Sequence, residues 1–181
     1  MQVSDPVLLL SRDEWSAFAG PRRTKRKYIL AYFLNNNHGD RSQLELLARR
    51  TGCRVLLLND YIKEFFKPGV RMKLDASPRE FVALIRDAEI VYTNSFHATA
   101  FSVIFNKEFY TAVAADAKVH NNNDSRKIDF LKSLGLESRL VPNGETIDLS
   151  RPAVDFGPVN RRLEAIKEKS LGWLKNALDG K

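Results

Sequence analysis

Short, nearly unbroken apolar runs separated by stretches of helical periodicity dominate this chain. Residues 28–34 and 54–58 are such runs, with the length of strands covered on both faces. Between them, residues 35–40 are rich in turn formers, residues 41–50 set Leu44, Leu46 and Leu47 at mixed helical spacing, and Gly52 supplies a stop. This pattern predicts a β-α-β unit. Residues 90–93 and 108–113 predict two further strands around a helix over 95–105, while 59–74 lack a clear period and read as a loop carrying a strand or one helical turn.

Helix starts are marked by capping chemistry. Ser11 with Glu14 forms a capping box for a short helix over 12–18, which Gly20-Pro21 ends. Ser77-Pro78-Arg79-Glu80 combines a cap, a proline at the first helical position and a second box, with Phe81, Leu84 and Ile85 as the expected buried stripe. Asp124 or Ser125 is placed to cap a helix over 126–134 stopped by Gly135, and an amphipathic helix over 159–177 closes the chain. Strands alternating with helices through brief connections predict an α/β fold: a Rossmann-like, doubly wound, mainly parallel sheet with helices on both faces. The expected division is a lead-in over 1–24, with its short helix and a basic link, followed by the domain over 25–181.

Composition narrows the picture. A chain of 181 residues, 44% hydrophobic and 28% charged, suits one globular core and excludes collagen-like, disordered and disulfide-scaffold classes. The single cysteine, Cys53, reads as a small core residue, and one cysteine with three scattered histidines is too few for a zinc site, so no metal and no cofactor is expected. The start lacks the basic and apolar regions of a secretion signal, and the apolar segment 90–105 is interrupted by Asn94, Ser95 and His97; neither a leader nor a transmembrane span is expected. A cytoplasmic location follows as the default, with peripheral association at the inner membrane face left open. A net charge of +7 favours anionic partners. Nucleic acid is disfavoured, because the basic residues are scattered without interleaved aromatics.

The candidate chemistry gathers where strands give way to helices. Thr93-Asn94-Ser95-Phe96-His97 spans one such junction, where unpaired N–H groups and the helix dipole favour an anion. Ser95 offers a hydroxyl to a phosphate oxygen or to the helix as a cap, and His97 offers a donor or a proton-transfer group. A capped helix with a satisfied histidine explains the same residues. The second cluster holds Lys118, His120, Asn121, Asn122, Asn123, Asp124, Ser125 and Arg126, in which Ser125 and Arg126 either bind a carboxylate or phosphate or serve as cap and solvated arginine. Lys107 either reaches the same crevice or marks a turn. No glycine-rich nucleotide motif, nucleophile elbow or metalloprotease helix is present.

The stretch from Tyr92 to Ser102, with Phe105-Asn106-Lys107-Glu108-Phe109-Tyr110, resembles the polysaccharide pyruvyl transferase family. Asp5-Pro6-Val7-Leu8-Leu9-Leu10 with Trp15, the strand at 28–34 and Ser125-Arg126-Lys127-Ile128-Asp129-Phe130-Leu131 resemble further stretches of that family's second domain. The resemblance implies one half of a GT-B-like enzyme, whose N-terminal domain is a partner absent from this chain. It also implies transfer of a pyruvyl unit from phosphoenolpyruvate to a saccharide or lipid-linked saccharide of a bacterial polysaccharide, giving a pyruvate ketal. His97 matches the family's donor-site histidine. Ser95 departs from the arginine common at that position, and Arg126, Lys107 or His120 is expected to compensate. Arg126 stands first, because a guanidinium grips a carboxylate with two donors. A GT-B nucleotide-sugar glycosyltransferase domain and a non-catalytic binding module are the alternatives.

Overall fold

In a computed structural model, which describes residues 4–22, 26–34, 41–58, 70–73, 75–114 and 122–180, six strands form one fully parallel sheet. The strands are β1 (Tyr28–Tyr32), β2 (Arg54–Leu58), β3 (Val70–Lys73), β4 (Ile90–Thr93), β5 (Glu108–Val113) and β6 (Leu140–Pro142), in the spatial order β3-β2-β1-β4-β5-β6. This is the doubly wound order of a Rossmann-like sheet, in which the chain reverses its direction of winding between β1 and β4. The expected α/β class is observed. β3 lies in the segment left without a clear period, and β6 has too few residues for an alternation or an apolar run to register.

The helices are α1 (Arg12–Ala19), α2 (Arg41–Thr51), α3 (Pro78–Asp87), α4 (Phe96–Ile104), α5 (Asn122–Leu134) and α6 (Phe156–Leu178). Both capping boxes form: the Ser11 hydroxyl accepts from Glu14 N–H, the Ser77 hydroxyl from Glu80 N–H, and each glutamate reaches back to its cap. Successive residues of β1 face opposite sides, so Leu30 joins the core beneath α3, α4 and α5, while Ile29 and Ala31 pack with Leu44 and Leu47 of α2. Gly52 ends α2 at φ 66°, and Gly135 follows α5 at φ 74°, the left-handed conformation that glycine tolerates.

Several boundaries differ from the sequence reading. In α3 the buried residues are Val82, Ala83, Ile85 and Asp87, whereas Phe81 and Leu84 are half-buried and pack against the core from its edge, with Phe81 also lining a cavity. α5 begins at Asn122, so neither Asp124 nor Ser125 caps it; Asp124 lies inside the first turn and its carboxylate accepts from Ala114 N–H at 2.8 Å. α6 starts at Phe156, with Asp155 as its cap, three residues ahead of the expected start. The lead-in packs on α4: Leu8 is buried, the Trp15 ring meets Phe101 edge-on at 4.8 Å, and Arg12 Nε donates to Ile104 O at 2.9 Å. The turn at 35–40, residues 59–69 and 74, and Lys118, His120 and Asn121 lie outside the described residues.

Candidate functional site at the sheet's switch point

Ligands of open parallel sheets collect at the carboxyl ends of strands, where the winding reverses. Here that point lies between β1 and β4, and side chains of 93–95 close it. Thr93 Oγ1 donates to Tyr32 O at 2.5 Å and accepts from Ser95 N–H at 3.0 Å. Asn94 Oδ1 accepts from Leu34 N–H at 2.8 Å, which ties the end of β1 to the turn after β4. Beneath them Lys127 of α5, 3% exposed, donates to Asn94 O at 2.8 Å and Ala112 O at 3.1 Å and pairs with Asp124 at 2.6 Å. A buried ammonium thus holds the ends of β4 and β5 and the start of α5 in one place.

Above this frame, Ser95 caps α4, its hydroxyl accepting from Ala98 N–H at 3.4 Å. His97, two residues into the helix, is half-exposed, with Nε2 3.6 Å from Asp5 Oδ2. The same Asp5 oxygen accepts from Arg126 Nη2, while Asp5 Oδ1 accepts from Val7 N–H at 3.0 Å. The Arg126 guanidinium lies over the Phe96 ring, 3.8 Å from its centroid, an arrangement that holds its plane while leaving about half the side chain exposed. Asp5, Phe96, His97 and Arg126 therefore form a single cluster. It brings together three segments that are far apart in sequence.

Beside His97 opens a cavity of about 580 Å³, lined by Ser95 and His97 on one wall and by Trp15, Tyr32, Phe81 and Phe101 elsewhere. This size and aromatic character suit a small organic ligand. Burial raises the Tyr32 pKa above the ordinary phenol value, so this side chain stays a neutral hydroxyl.

The expected site residues thus divide. His97, Ser95 and Arg126 come together at the carboxyl edge; Asn94 joins them but spends its side-chain oxygen on the backbone of Leu34. Ser125, half-buried, lies beside Arg126 on α5. Lys107 does not reach this crevice. It precedes β5, which runs parallel to β4 with Ile90 opposite Glu108, so it stands at the opposite, amino edge of the sheet. There burial lowers its pKa below the usual lysine value, with the Glu89 charge opposing the shift. His120 lies outside the described residues. Asp5 and Lys127 were not singled out from sequence. The spacing of Asp124 and Lys127, three apart in a helix, carries a signal for the second; nothing local carries one for the first. Among the described residues no three His, Cys, Asp or Glu side chains gather as metal ligands, and no helix is long and apolar enough to cross a membrane.

The family model for polysaccharide pyruvyl transferase matches residues 1–115, which include both Asp5 and His97. The chain belongs to the polysaccharide pyruvyl transferase family. No curated protein matches it. Among solved structures it is similar to UDP-GlcNAc 2-epimerase from Methanocaldococcus jannaschii, with TM-score 0.48 and 11% identity over 86% of this chain and 43% of that one. It is also similar to the glycosyltransferase SnogD from Streptomyces nogalater, with TM-score 0.47 and 12% identity over 83% of this chain and 40% of that one. The chain spans less than half the length of these solved proteins.

Proposed function

We propose that the carboxyl-edge cluster is the donor half-site of a pyruvyl transferase that takes phosphoenolpyruvate and forms a pyruvate ketal on a saccharide. The observation that carries this reading is the seating of His97, at the start of α4 and at the sheet's switch point, within the segment matched by the family model. Arg126 and the N-terminal N–H groups of α4 supply positive potential for the donor's carboxylate or phosphate. One Arg126 nitrogen is committed to Asp5, and the half-exposed guanidinium has further donors to offer a ligand.

In the reaction, a proton adds to the methylene carbon of phosphoenolpyruvate, and its central carbon becomes electrophilic. A sugar hydroxyl attacks that carbon. The carbon–oxygen bond to phosphate then breaks, a second hydroxyl closes the ketal, and the two hydroxyl protons balance those taken up by the methyl group and the phosphate. His97 serves as general acid and base, or as donor to the phosphate. The aromatic cavity beside it suits the C–H face of the acceptor ring. The acceptor is a saccharide or lipid-linked saccharide, handled on the cytoplasmic side with a further N-terminal domain completing the site.

Titrating phosphoenolpyruvate into the ¹⁵N-labelled chain tests the reading. Saturable amide shifts centred on Ser95 to Ala98 and on Arg126, lost in His97→Ala, are expected. Shifts with UDP but not with phosphoenolpyruvate would instead assign the half-site to a nucleotide-sugar glycosyltransferase, and silence with both would remove the donor site from this chain.

A further inference from the structure

The cluster contains a residue that the donor reading does not use. Asp5 comes from the lead-in, its side chain is only 10% exposed, and one of its oxygens stands against both His97 Nε2 and Arg126 Nη2. Its other oxygen is held by Val7 N–H. The segment before it is fixed at the far side by α6, where Ser4 N–H and Oγ meet Ser170 Oγ at 3.2 and 2.6 Å. A carboxylate so placed cannot turn away from His97 and Arg126 without giving up its bond to Val7 N–H. An arginine held only by stacking on Phe96 would slide across the ring, and a half-exposed imidazole would change rotamer; both meet one fixed carboxylate.

We infer that Asp5 is a positioning residue, which sets the Arg126 guanidinium and the His97 ring in one fixed relation at the donor face. With Nε2 the ring nitrogen 3.6 Å from this carboxylate, the charge of Asp5 favours the neutral tautomer protonated there and leaves Nδ1 as the basic nitrogen. The contrary expectation is simple electrostatics. A negative charge beside an anion site repels the anion, and its removal should tighten binding. The two ideas therefore give opposite signs for the same substitution.

Asp5→Asn separates them, because the amide keeps an oxygen for Val7 N–H and loses the charge. The binding arm rests on the donor reading; the spectroscopic arm does not. In the ¹⁵N-labelled chain, Asp5→Asn is expected to leave the melting curve close to the parent's, to move the Arg126 Nε–H signal to the position of a solvated arginine, and to mix the His97 tautomers seen in its ring ¹⁵N shifts. Affinity for phosphoenolpyruvate should fall roughly fivefold or more, in the range of coupled neighbours. Unchanged Arg126 and His97 signals, or an affinity that rises, would overturn the inference. Arg126→Gln approaches the cluster from α5, away from the turn that Asp5 caps. It should shift the His97 ring signals, and adding Asp5→Asn to it should shift them little further; fully additive shifts would count against a shared carboxylate. If the parent chain binds no phosphoenolpyruvate, the donor reading fails, while the Arg126 and His97 signals still decide the role of Asp5.

Discussion

Lys127→Met removes the ammonium that holds the switch-point frame together. In the parent, Lys127 is 3% and Asp124 8% exposed, and the lysine also donates to the carbonyls of Asn94 and Ala112. Methionine fills a similar volume, so the loss is electrostatic rather than a cavity. Asp124 keeps Ala114 N–H as a partner but loses its counter-charge, and two carbonyls lose a donor. Breaking one side of a buried pair costs about 3–5 kcal/mol. For a domain of this size each kcal/mol moves the midpoint by about 2–4 °C, so the expected fall is roughly 6–20 °C.

Urea unfolding followed by far-UV circular dichroism measures the cost, and a double-mutant cycle with Asp124→Asn tests its origin. Asparagine retains an oxygen for Ala114 N–H while discarding the charge. The double variant should therefore recover at least about 1 kcal/mol relative to the sum of the single variants. A Lys127→Met cost under about 1 kcal/mol, or strict additivity, would refute the claim that this pair anchors the frame.

Thr93→Val is nearly isosteric but strips the hydroxyl that joins Tyr32 O to Ser95 N–H; it should cost about 1–3 kcal/mol in urea unfolding and broaden the amides of 94–97. Gly135→Ala forces a left-handed alanine at φ 74° and sets its Cβ against Arg162 Nη1, which itself donates to Leu134 O; a loss of at least about 1–2 kcal/mol is expected from the backbone alone. Hydrogen bonds from Ser77, first from its N–H, lower the Glu80 pKa to about 2, with Lys73 adding to the shift. Because the folded value lies below the ordinary 4.5, this carboxylate stabilises the fold above that value, and its contribution drains as pH falls toward 2. Glu80→Gln should flatten that part of the acid unfolding curve and leave the pH dependence near neutrality unchanged.

The fold was legible because its signals are local. Two capping boxes, a glycine stop at Gly52 and short apolar strands each act within a few residues, and each formed where the sequence placed it. The errors arose where a side chain took a distant partner. Asp124 has the chemistry of a helix cap, but Ala114 N–H and Lys127 both compete for its carboxylate, and the helix starts two residues earlier. Phe81 has the spacing of a core residue and packs against the core, yet it stays half-buried and also borders a cavity whose other walls include residues of α1, β1, β2 and α4. No periodicity within α3 encodes those walls.

The candidate site shows the same division more sharply. His97 was readable because strand, cap and helix start follow one another within a few residues at 93–97. Lys107 was misplaced because proximity in sequence to a site helix was taken for proximity in space, whereas each α-helical crossover of a parallel sheet carries the chain from the carboxyl edge back to the amino edge. Asp5 could not be ranked at all: it lies 121 residues from Arg126, and only the folding of the lead-in across α4 brings the two together. A residue of this kind is cheap to lose from a sequence argument and expensive to lose from the site. Its carboxylate is what converts a stacked arginine and a half-exposed histidine from two mobile side chains into a fixed pair.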